Sequence, residues 1–507
     1  MSAVERSLLI RGARVLTMDD ARRQWRSADI VVEDGVIRAI GPDAGRAWPS
    51  PVARVIDGTG MLAMPGLVNA HFHSPGNLLK GSLDGLPLEI FMLHEVPPLA
   101  ADRESAVRTG YVGTMLGALE MLRRGVTTVH DDAFHVPVAS EDSVDAIMHA
   151  YEDAGIRATV AIDQPNVVEY DKYPYLRDLL PDEVRRAMDA APRQSGAELL
   201  ALYGHLIRRW HDTADGRLRA AVSCSAPQRV TGEYFAGLSA LSRAHDLPFN
   251  VHVLETKLQR VLGTEKYGKS LVRHVHDLGF LDERMMVIHA IWIDGDDIAL
   301  LAGAGCTVAH NPVCNLRLGS GVMPFRMLRD AGVPVCLGSD EAVSDDSINL
   351  WFVAKTAALL HTIAGPDYDE WPTAPEILHA LTRGGARALR LADRIGQLAP
   401  GFAADIVLLD LDTLAFTPCN DLERQLVYCE DGSSVRCTIV AGRVVFEDGR
   451  VTTVDERALR AEARELATAQ HPRRAEARAA ARRLEPYYRA MYERAARQDV
   501  GFDRRLA

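Results

Sequence analysis

Short apolar segments alternate with amphipathic segments eight times between Met64 and about Leu391, and this alternation limits the fold more than any other feature. Strands that alternate with helices in this way form parallel β/α units. Eight such units close into a (β/α)8 barrel, so the sequence predicts an α/β protein with a TIM barrel at its centre. The predicted strands are residues 66–71, 126–131, 158–163, 219–225, 249–254, 286–289, 307–310 and 333–338. Segments with helical apolar spacing include residues 106–124, 143–154, 236–244 and 298–304.

The segments on both sides of the barrel have the pattern of short strands. Residues 28–41 alternate around Asp34-Gly35, and Asp-Gly is a strong signal for a two-residue hairpin turn. Residues 404–410 and 435–446 also alternate as strands do. The two flanks could pair with each other into one small sheet domain, but the sequence does not determine this pairing.

The last part of the chain, residues 456–507, is rich in Ala, Arg and Glu, a composition typical of helices. Pro472 and Pro486 interrupt it, and proline breaks or kinks a helix, so the sequence predicts two or three helices here. This segment holds 13 Arg against 8 Asp plus Glu, a net charge of +5. The remainder then carries −17, since the whole chain carries −12. We therefore expect the basic helices to form an exposed or docking surface, with no nucleic acid as partner.

The cysteines and the apolar runs indicate the compartment. The seven cysteines show no CxxC spacing and no even framework, as is typical of reduced thiols in a cytoplasmic protein. No apolar run reaches the length of a membrane span, and the segment from Met1 to Ile10 lacks the pattern of a signal peptide. We therefore expect a cytoplasmic protein that does not bind a membrane.

Polar residues follow the predicted strands at their carboxyl ends, the edge that carries the reactive groups of barrel enzymes. His71 and His73 end strand one and face the same side, because side chains alternate along a strand. His252, His289 and Asp340 end strands five, six and eight. Each residue alone is more often structural. Together, three imidazoles and a carboxylate predict a site for one Zn²⁺ or Fe²⁺ with room for a water, whose pKa the ion would lower.

Glu255 lies three residues after His252 and is the candidate general acid/base. A carboxyl group beside a metal site can carry a proton from water to a ring nitrogen or a leaving group. The alternative is a solvated charge at the start of the next helix. The metal-binding pattern around it favours catalysis.

The order of these motifs resembles the amidohydrolase superfamily. Within it, the chain resembles the group of cytosine deaminase, S-adenosylhomocysteine deaminase, guanine deaminase and triazine hydrolase, over about residues 1–455. The motifs that carry the resemblance are PGLVNAHFH at 65–73, HVLE at 252–255, His289-Ala290 and GSD at 338–340. The resemblance implies that the flanks form a composite β-sandwich domain, and that the enzyme is a homo-oligomer. The expected division is residues 1–62 and 396–455 for the sandwich, 63–395 for the barrel and 456–507 for the helical extension.

The resemblance also implies roles for individual residues. The implied metal ligands are His71, His73, His252 and Asp340. His289 would hold the water or the reacting edge of the substrate, and Asp340 would also take the proton of the water. Glu255 would protonate the ring nitrogen and pass the proton to the leaving group.

The chain departs from that group in two places. Two-metal relatives carry a lysine at the end of strand four, and residues 219–227 have none, which favours one ion. Many deaminase relatives have a histidine after the strand-four proline, where this chain has Gln228 and Arg229. These two side chains could bind carbonyl or ring-nitrogen acceptors or an acidic substituent.

His94 is a further candidate for contact with the substrate. Other polar residues near the rim, with structural roles as the default, are Asp84, Glu89, His130, Asp131, Asp132, Glu341, Asp345 and Asp346.

The predicted function is hydrolysis of a C–N bond of an N-heterocyclic small molecule. Deamination of an aminopurine, aminopyrimidine, pterin or triazine, with release of ammonia, is the first interpretation. Removal of chloride or an alkylamine from a triazine is the second, and hydrolysis of an acyclic amide, urea or carbamate is the third. A non-catalytic scaffold would have lost ligands, and this chain keeps the whole set.

Overall fold

A computed structural model describes residues 7–95, 97, 99–100 and 102–505 of the chain. The first six and the last two residues, which the predicted outer segments include, lie outside the described residues. A parallel barrel with surrounding helices is joined to a mixed nine-stranded sheet, and a long helix follows. This architecture confirms the predicted fold class. The exact domain boundaries stay a prediction.

Eight strands close the barrel. They are Leu67–His73 (one), Val126–Phe134 (two), Arg157–Asp163 (three), Leu218–Ala220 with Val222–Ser223 (four), Phe249–Val253 (five), Met285–His289 (six), Thr307–His310 (seven) and Val335–Leu337 with Asp340–Glu341 (eight). The first part of strand four pairs with strand three and its second part with strand five. Strand eight pairs in the same way with strand seven and then with strand one. All these pairs are parallel, so their carboxyl ends meet at one rim.

The barrel helices begin two to four residues before the predicted segments, at 103, 141, 232 and 295 instead of 106, 143, 236 and 298. Asp102, Ser140 and Asp294 cap three of them by accepting the amide hydrogen of the third helical residue. The apolar spacing starts only after this polar first turn. The regular α-helices are Ala44–Ala47, Leu88–Glu95, Arg103–Arg123, Glu141–Ala154, Leu176–Leu179, Asp182–Ala190, Gly196–Trp210, Gly232–His245, Lys257–Tyr267, Leu271–Asp277, Gly295–Ala304, Pro312–Arg317, Phe325–Asp330, Ala342–Asp345, Leu350–Leu360, Ala374–His379, Gly385–Ala388, Leu422–Tyr428 and Glu456–Ala496. None of the described helices has the length and apolar content needed to cross a membrane.

The two flanks of the barrel form one sheet, a pairing that the sequence left open. Its strands are Ser7–Leu16, Gln24–Glu33, Val36–Gly41, Arg54–Asp57, Met61–Pro65, Ile406–Asp410, Val435–Val440, Arg443–Glu447 and Arg450–Val451. Met61–Pro65 joins the halves by pairing antiparallel with Ile406–Asp410. The sheet also closes on itself, because the Ile37 amide donates to the Phe402 carbonyl and the Ala404 amide to the Gly35 carbonyl, each over 2.8 Å. A separate apolar core lies inside this fold.

The predicted hairpin is confirmed. Glu33 pairs with Val36, which leaves Asp34 and Gly35 as a two-residue turn. Both turn residues have left-handed backbone, with φ of 52° and 76°, and this is the geometry that Asp-Gly favours in tight hairpins.

The prediction of two or three helices in the C-terminal segment is wrong. Glu456–Ala496 is one helix of 41 residues with Pro472 and Pro486 inside it. Each proline removes one amide donor, at a cost of about 3 kcal/mol. The helix continues because its buried face, which includes Ala481, Tyr488 and Met491, packs against the barrel helices.

A buried ion pair joins barrel strand three to the outer sheet. Arg157 donates from Nε and Nη2 to the two carboxylate oxygens of Asp405 over 2.7 and 3.2 Å. Both side chains are 3% exposed. Asp405 also accepts the amide hydrogen of Ala441 over 2.7 Å.

Asp405→Asn is expected to lower the free energy of unfolding by about 3 kcal/mol, because Arg157 would keep a buried charge without a carboxylate. Denaturant unfolding followed by tryptophan fluorescence measures the change. The control is Asp142→Asn, which removes the partner of Arg103 in a pair with side chains 61% and 70% exposed. That variant should change stability by less than about 0.5 kcal/mol. Equal losses in both variants would contradict a structural role for the buried pair.

Candidate metal and catalytic site

The structure brings six of the sequence-predicted site residues together at the carboxyl rim of the barrel. They are His71, His73, His252, Glu255, His289 and Asp340, and all are buried. Strand one supplies the first two, strands five, six and eight supply His252, His289 and Asp340, and Glu255 lies in the loop after strand five. Burial removes these groups from bulk water, so they must satisfy one another or a bound ligand.

The histidines surround one carboxylate. Nε2 of His71 and Nε2 of His73 are each 3.7 Å from Oδ1 of Asp340, and Nε2 of His289 is 3.7 Å from Oδ2. The ring centroid of His252 is 4.9 Å from that of His71 and 5.4 Å from that of His73. These separations leave a small space between the ring nitrogens and the carboxylate.

Three of these rings are oriented by contacts at their other nitrogen. Nδ1 of His73 donates to the Asp132 carbonyl over 2.5 Å, and Nδ1 of His252 donates to the Ser225 carbonyl over 2.8 Å. Nδ1 of His289 donates to Oδ1 of Asn315 over 2.9 Å. A donating Nδ1 leaves the lone pair on Nε2, the arrangement that ligating histidines use.

The residues present fit a divalent metal ion. Both ring nitrogens of His71 and Oδ2 of Asp340 are buried and have no hydrogen-bond partner among the described residues, which a protein avoids unless a ligand satisfies them. Three imidazoles and one carboxylate are also the donor set that Zn²⁺ and Fe²⁺ prefer. Asp132 approaches the same histidines, but its carboxylate lies 3.8 Å from Nδ1 of His252, the nitrogen that faces Ser225. Asp132 therefore lies on the Nδ1 side of His252, behind the Nε2 atom.

The charge states follow from burial and from neighbouring groups. Burial and the other histidines lower the pKa of His71 well below its usual range, so this ring is neutral. Burial also acts to lower the pKa of His73, but the carboxylates of Asp340, Asp132 and Asp163 raise it to about 9. The protein alone therefore holds a proton in this cluster, and a bound cation would compete with that proton.

Glu255 faces the four histidines and Asp340, together called the metal-binding cluster, from the loop after strand five. Its Oε2 lies 3.4 Å from Nε2 of His289, and Ser320 Oγ donates to its Oε1 over 3.4 Å. Burial and then the carboxylate of Asp340 raise the pKa of Glu255 well above its usual range. A carboxyl group with a raised pKa can hold and release a proton near neutral pH.

The backbone at the rim is strained at the residues that end the strands. Leu254, His289 and Asp340 have positive φ of 52°, 70° and 60°. Left-handed backbone at a residue other than glycine costs about 1–3 kcal/mol and is concentrated at functional sites. The Leu254 carbonyl ties two loops together, because it accepts the amide hydrogens of Ile291 and Trp292 over 3.1 and 2.8 Å.

Two residues of the recognised motifs hold strand one against strand eight. The Asn69 amide group donates to Ser339 Oγ over 2.8 Å, and the Ser339 backbone amide donates back to Asn69 Oδ1 over 3.0 Å. Gly338 lies so close to His71 that an added Cβ would come within 2.8 Å of its carbonyl. The role of Asn69 is not evident from the sequence, although the residue lies within the first motif.

A cavity of about 420 Å³ opens above the cluster and is large enough for a small-molecule ligand. Arg229 lines it, and its Nη2 contacts Met92 Sδ at 2.9 Å. Gln228 is buried but is not among the lining residues. His94 faces away, with Nε2 3.9 Å from Glu485, beside a different, small cavity. The structure therefore brings only Arg229 of these three to the cavity.

Several other rim residues have structural partners. Asp131 accepts from the Ser74 amide and from the Tyr151 hydroxyl. Glu89 accepts from Thr256 Oγ1 over 2.5 Å. Glu341 lines the cavity, and burial together with the nearby carboxyl groups of Glu95 and Asp340 raises its pKa well above the usual range.

Comparison with known proteins places the chain in one family. Residues 62–445 match the model of the amidohydrolase family. The chain is 31% identical over 460 residues to the 5'-deoxyadenosine deaminase of Methanosarcina mazei, an alignment that covers 91% of this chain and 97% of that protein.

Two solved structures are similar to this chain. A triazine hydrolase from Arthrobacter aurescens has a TM-score of 0.81 and 27% identity, with 91% of this chain and 99% of that chain covered. An adenosine deaminase from Xanthomonas campestris with bound zinc has a TM-score of 0.80 and 29% identity, with 92% and 98% covered. The chain therefore belongs to the amidohydrolase family, which makes it a hydrolase of carbon–nitrogen bonds.

Proposed function

We propose that this chain is a zinc-dependent aminohydrolase that removes an amino group from an N-heterocycle and releases ammonia. An aminopurine nucleoside is the first choice of substrate, before aminopyrimidines, pterins and triazines. The observation that carries the proposal is the position of Glu255, a buried carboxyl group 3.4 Å from His289 and beside the three-histidine cluster. Similarity to two proteins named as deaminases of adenosine compounds supports it.

One metal ion would be held by His71, His73, His252 and Asp340. When bound, a divalent ion of this kind polarises a water molecule and lowers its pKa. We propose Zn²⁺ before Fe²⁺, because the similar adenosine deaminase structure contains zinc. Strand four carries no lysine, so we propose one ion and not two.

The side chains around the cluster divide the proton transfers between them. Hydrolytic deamination adds water to an amidine-like ring carbon, and the amino group leaves as ammonia. Asp340 Oδ2, which has no hydrogen-bond partner among the described residues, would accept the proton that the water loses. Glu255, with its raised pKa, would protonate the ring nitrogen, then take up the hydroxyl proton of the adduct and pass it to the amino group, which leaves as ammonia. The proton held by Asp340 would then restore the acid form of Glu255. His289, fixed by Asn315, would orient the reacting edge.

Arg229 is the residue that we propose binds the heterocycle or its substituent. It lines the cavity and is 8% exposed, so an acceptor on the substrate would meet a guanidinium that is largely removed from water. Arginine presents several donors in a fixed plane and suits carbonyl oxygens, ring nitrogens and acidic groups.

A second candidate function is displacement of chloride or an alkylamine from a triazine. The similarity in fold and sequence to a triazine hydrolase favours it over hydrolysis of acyclic amides. The same side chains would serve both reactions, because only the leaving group differs. Measurement of the released product separates the two.

We also propose a cytoplasmic homo-oligomer. All seven cysteines carry free thiols, which supports a reducing compartment. Phe352, Leu359 and Ile363 are 48%, 49% and 58% exposed, and neighbouring apolar side chains of this kind are often covered by a second subunit.

His73→Ala is expected to reduce the bound metal from near one ion per chain to almost none, because one imidazole ligand is lost. Elemental analysis after gel filtration measures the content. His94→Ala is the matched control, since His94 faces Glu485, and it should keep the metal. Near-stoichiometric metal in His73→Ala would contradict the proposed ligand set.

Glu255→Gln is expected to keep the metal and lose turnover by about 10²–10⁴-fold, because the amide cannot carry the proton. We would measure ammonia and chloride release from 5'-deoxyadenosine, an aminopyrimidine, an aminopterin, an aminotriazine and a chlorotriazine. Glu89→Gln changes another buried carboxylate, outside the cavity lining, and should remain active. Full activity of Glu255→Gln would remove this residue from the mechanism. Chloride without ammonia would favour the second candidate function.

Arg229→Met is expected to raise KM by about 10- to 100-fold with unchanged metal content, because a charged hydrogen bond contributes about 1.5–3 kcal/mol. Steady-state kinetics on the best substrate measures it. Arg193→Met provides the control, since Arg193 also borders the cavity but is exposed and donates to the Met188 and Asp189 carbonyls. The same KM for both variants would exclude Arg229 from substrate recognition.

A further inference from the structure

The C-terminal extension lies on the catalytic side of the barrel. The family match ends at residue 445, before the helix Glu456–Ala496 begins. That helix packs against Leu88–Glu95, which follows strand one, and against Leu176–Leu179 and Lys257–Tyr267, which follow strands three and five. Segments that follow the strands of a barrel are the ones that build its active site.

A shared apolar cluster fixes the helix to these segments. Tyr488 and Met491 of the extension are buried with Ile90, Tyr173 and Leu258. These partners come from the segments after strands one, three and five. Burial of this apolar surface stabilises the packing of the extension against the segments after strands one, three and five.

Hydrogen bonds extend the attachment to two more rim loops. Lys257 Nζ donates to the Ala496 carbonyl over 2.9 Å. Beyond the helix, Arg504 Nη2 donates to the Ile293 carbonyl over 2.7 Å, and its carbonyl accepts the Val322 amide hydrogen over 2.7 Å. Ile293 follows strand six and Val322 follows strand seven. The extension is therefore anchored on both sides of the cavity opening.

Two side chains of the extension line the same cavity as the metal-binding cluster, namely Leu484 and Tyr488. Tyr488 is 1% exposed, and its ring meets Tyr173 edge to face with centroids 5.6 Å apart. Its hydroxyl donates to Glu169 Oε1 over 3.4 Å, and Glu169 is held by Lys172 over 2.6 Å. The ring is thus fixed in one orientation at the cavity wall.

We propose that the C-terminal extension is part of the substrate site, with Tyr488 as a specificity-determining residue that packs against an apolar face of the substituent carried by the heterocycle. This proposal rests on the proposed function and adds a substrate feature to it: the substituent, and not only the ring, is recognised. Leu484 and Met188 continue the apolar surface beside Tyr488. A rigid aromatic ring contributes contact area with little loss of entropy on binding.

The first test compares two probes that differ in the substituent, 5'-deoxyadenosine and adenine, on the full-length, metal-loaded protein. Tyr488→Ala is expected to raise the KM for 5'-deoxyadenosine about tenfold with kcat little changed, because a buried aromatic contact is lost. Its kinetic constants for adenine should match the wild type. Tyr488→Phe keeps the ring and should restore the KM.

Tyr487→Ala is the matched control, because Tyr487 is the neighbouring tyrosine on the same helix and does not line the cavity. It should leave both KM values unchanged. Equal changes in Tyr487→Ala and Tyr488→Ala, or equal losses on both probes, would overturn the proposal and leave the extension as a structural clamp. Leu484→Ala replaces Tyr488→Ala if the latter does not fold, since Leu484 is only partly buried.

The second test does not depend on turnover. Cys314 lines the cavity, whereas Cys306 is buried elsewhere, so iodoacetamide labelling of the two thiols separates opening of the cavity from unfolding. Tyr488→Ala should speed labelling of Cys314 about fivefold over Tyr487→Ala and leave Cys306 unchanged, because loss of a large side chain from the wall widens the cavity. Unchanged labelling of Cys314 would overturn the proposal. If the wild type deaminates neither probe, the proposed substrate class fails, and this second test alone decides the role of Tyr488.

Discussion

The site depends on the pairing that closes the barrel. Strand eight meets strand one through Asp340 opposite Phe72 and Glu341 opposite His73. Only this closure places a carboxylate from late in the chain beside two histidines from early in it. Gly338 allows the two strands to approach, and the reciprocal bonds between Asn69 and Ser339 hold them in register. Asn69, Gly338 and Ser339 therefore keep the distances between the histidines of strand one and Asp340.

Burial is the second constraint, because it makes the cluster unfavourable without a bound ligand. Among the described residues, the two ring nitrogens of His71 and Oδ2 of Asp340 have no hydrogen-bond partner. Burial favours neutral His71, whereas the nearby carboxylates favour charged His73. A divalent cation would relieve both demands, since it accepts an imidazole lone pair and balances the charge of the carboxylate. The positive φ angles of His289 and Asp340 show that the fold accepts strain to aim these side chains inward.

Much of this arrangement could be predicted from sequence, because it depends on local pattern. The alternation of strands and helices predicts the barrel. Parallel strands bring their carboxyl ends to one rim, so His252 and His289 can be predicted as site residues without knowledge of contacts. The pairing of Met61–Pro65 with Ile406–Asp410 cannot be predicted, because strand partners far apart in sequence leave no local signal.

The continuity of the last helix through Pro472 and Pro486 also depends on contacts that are distant in sequence, so it cannot be predicted from local pattern. Local propensity predicts a break there, and tertiary packing overrides it. Likewise, nothing in the spacing of Tyr488 relates it to a cavity formed by residues hundreds of positions earlier.

The composite sheet has a consequence for the synthesis of the chain. Met61–Pro65 pairs on one side with Ser7–Leu16 and on the other with Ile406–Asp410. While the ribosome makes the barrel, the second side of this strand stays an open edge with free amide and carbonyl groups. Open edges of apolar strands are the places where nascent chains associate wrongly. The chain must therefore keep its N-terminal strands from other partners until the whole barrel has been made. An architecture in which the barrel lies in sequence between the two halves of one sheet therefore completes that sheet only after the barrel has been synthesised.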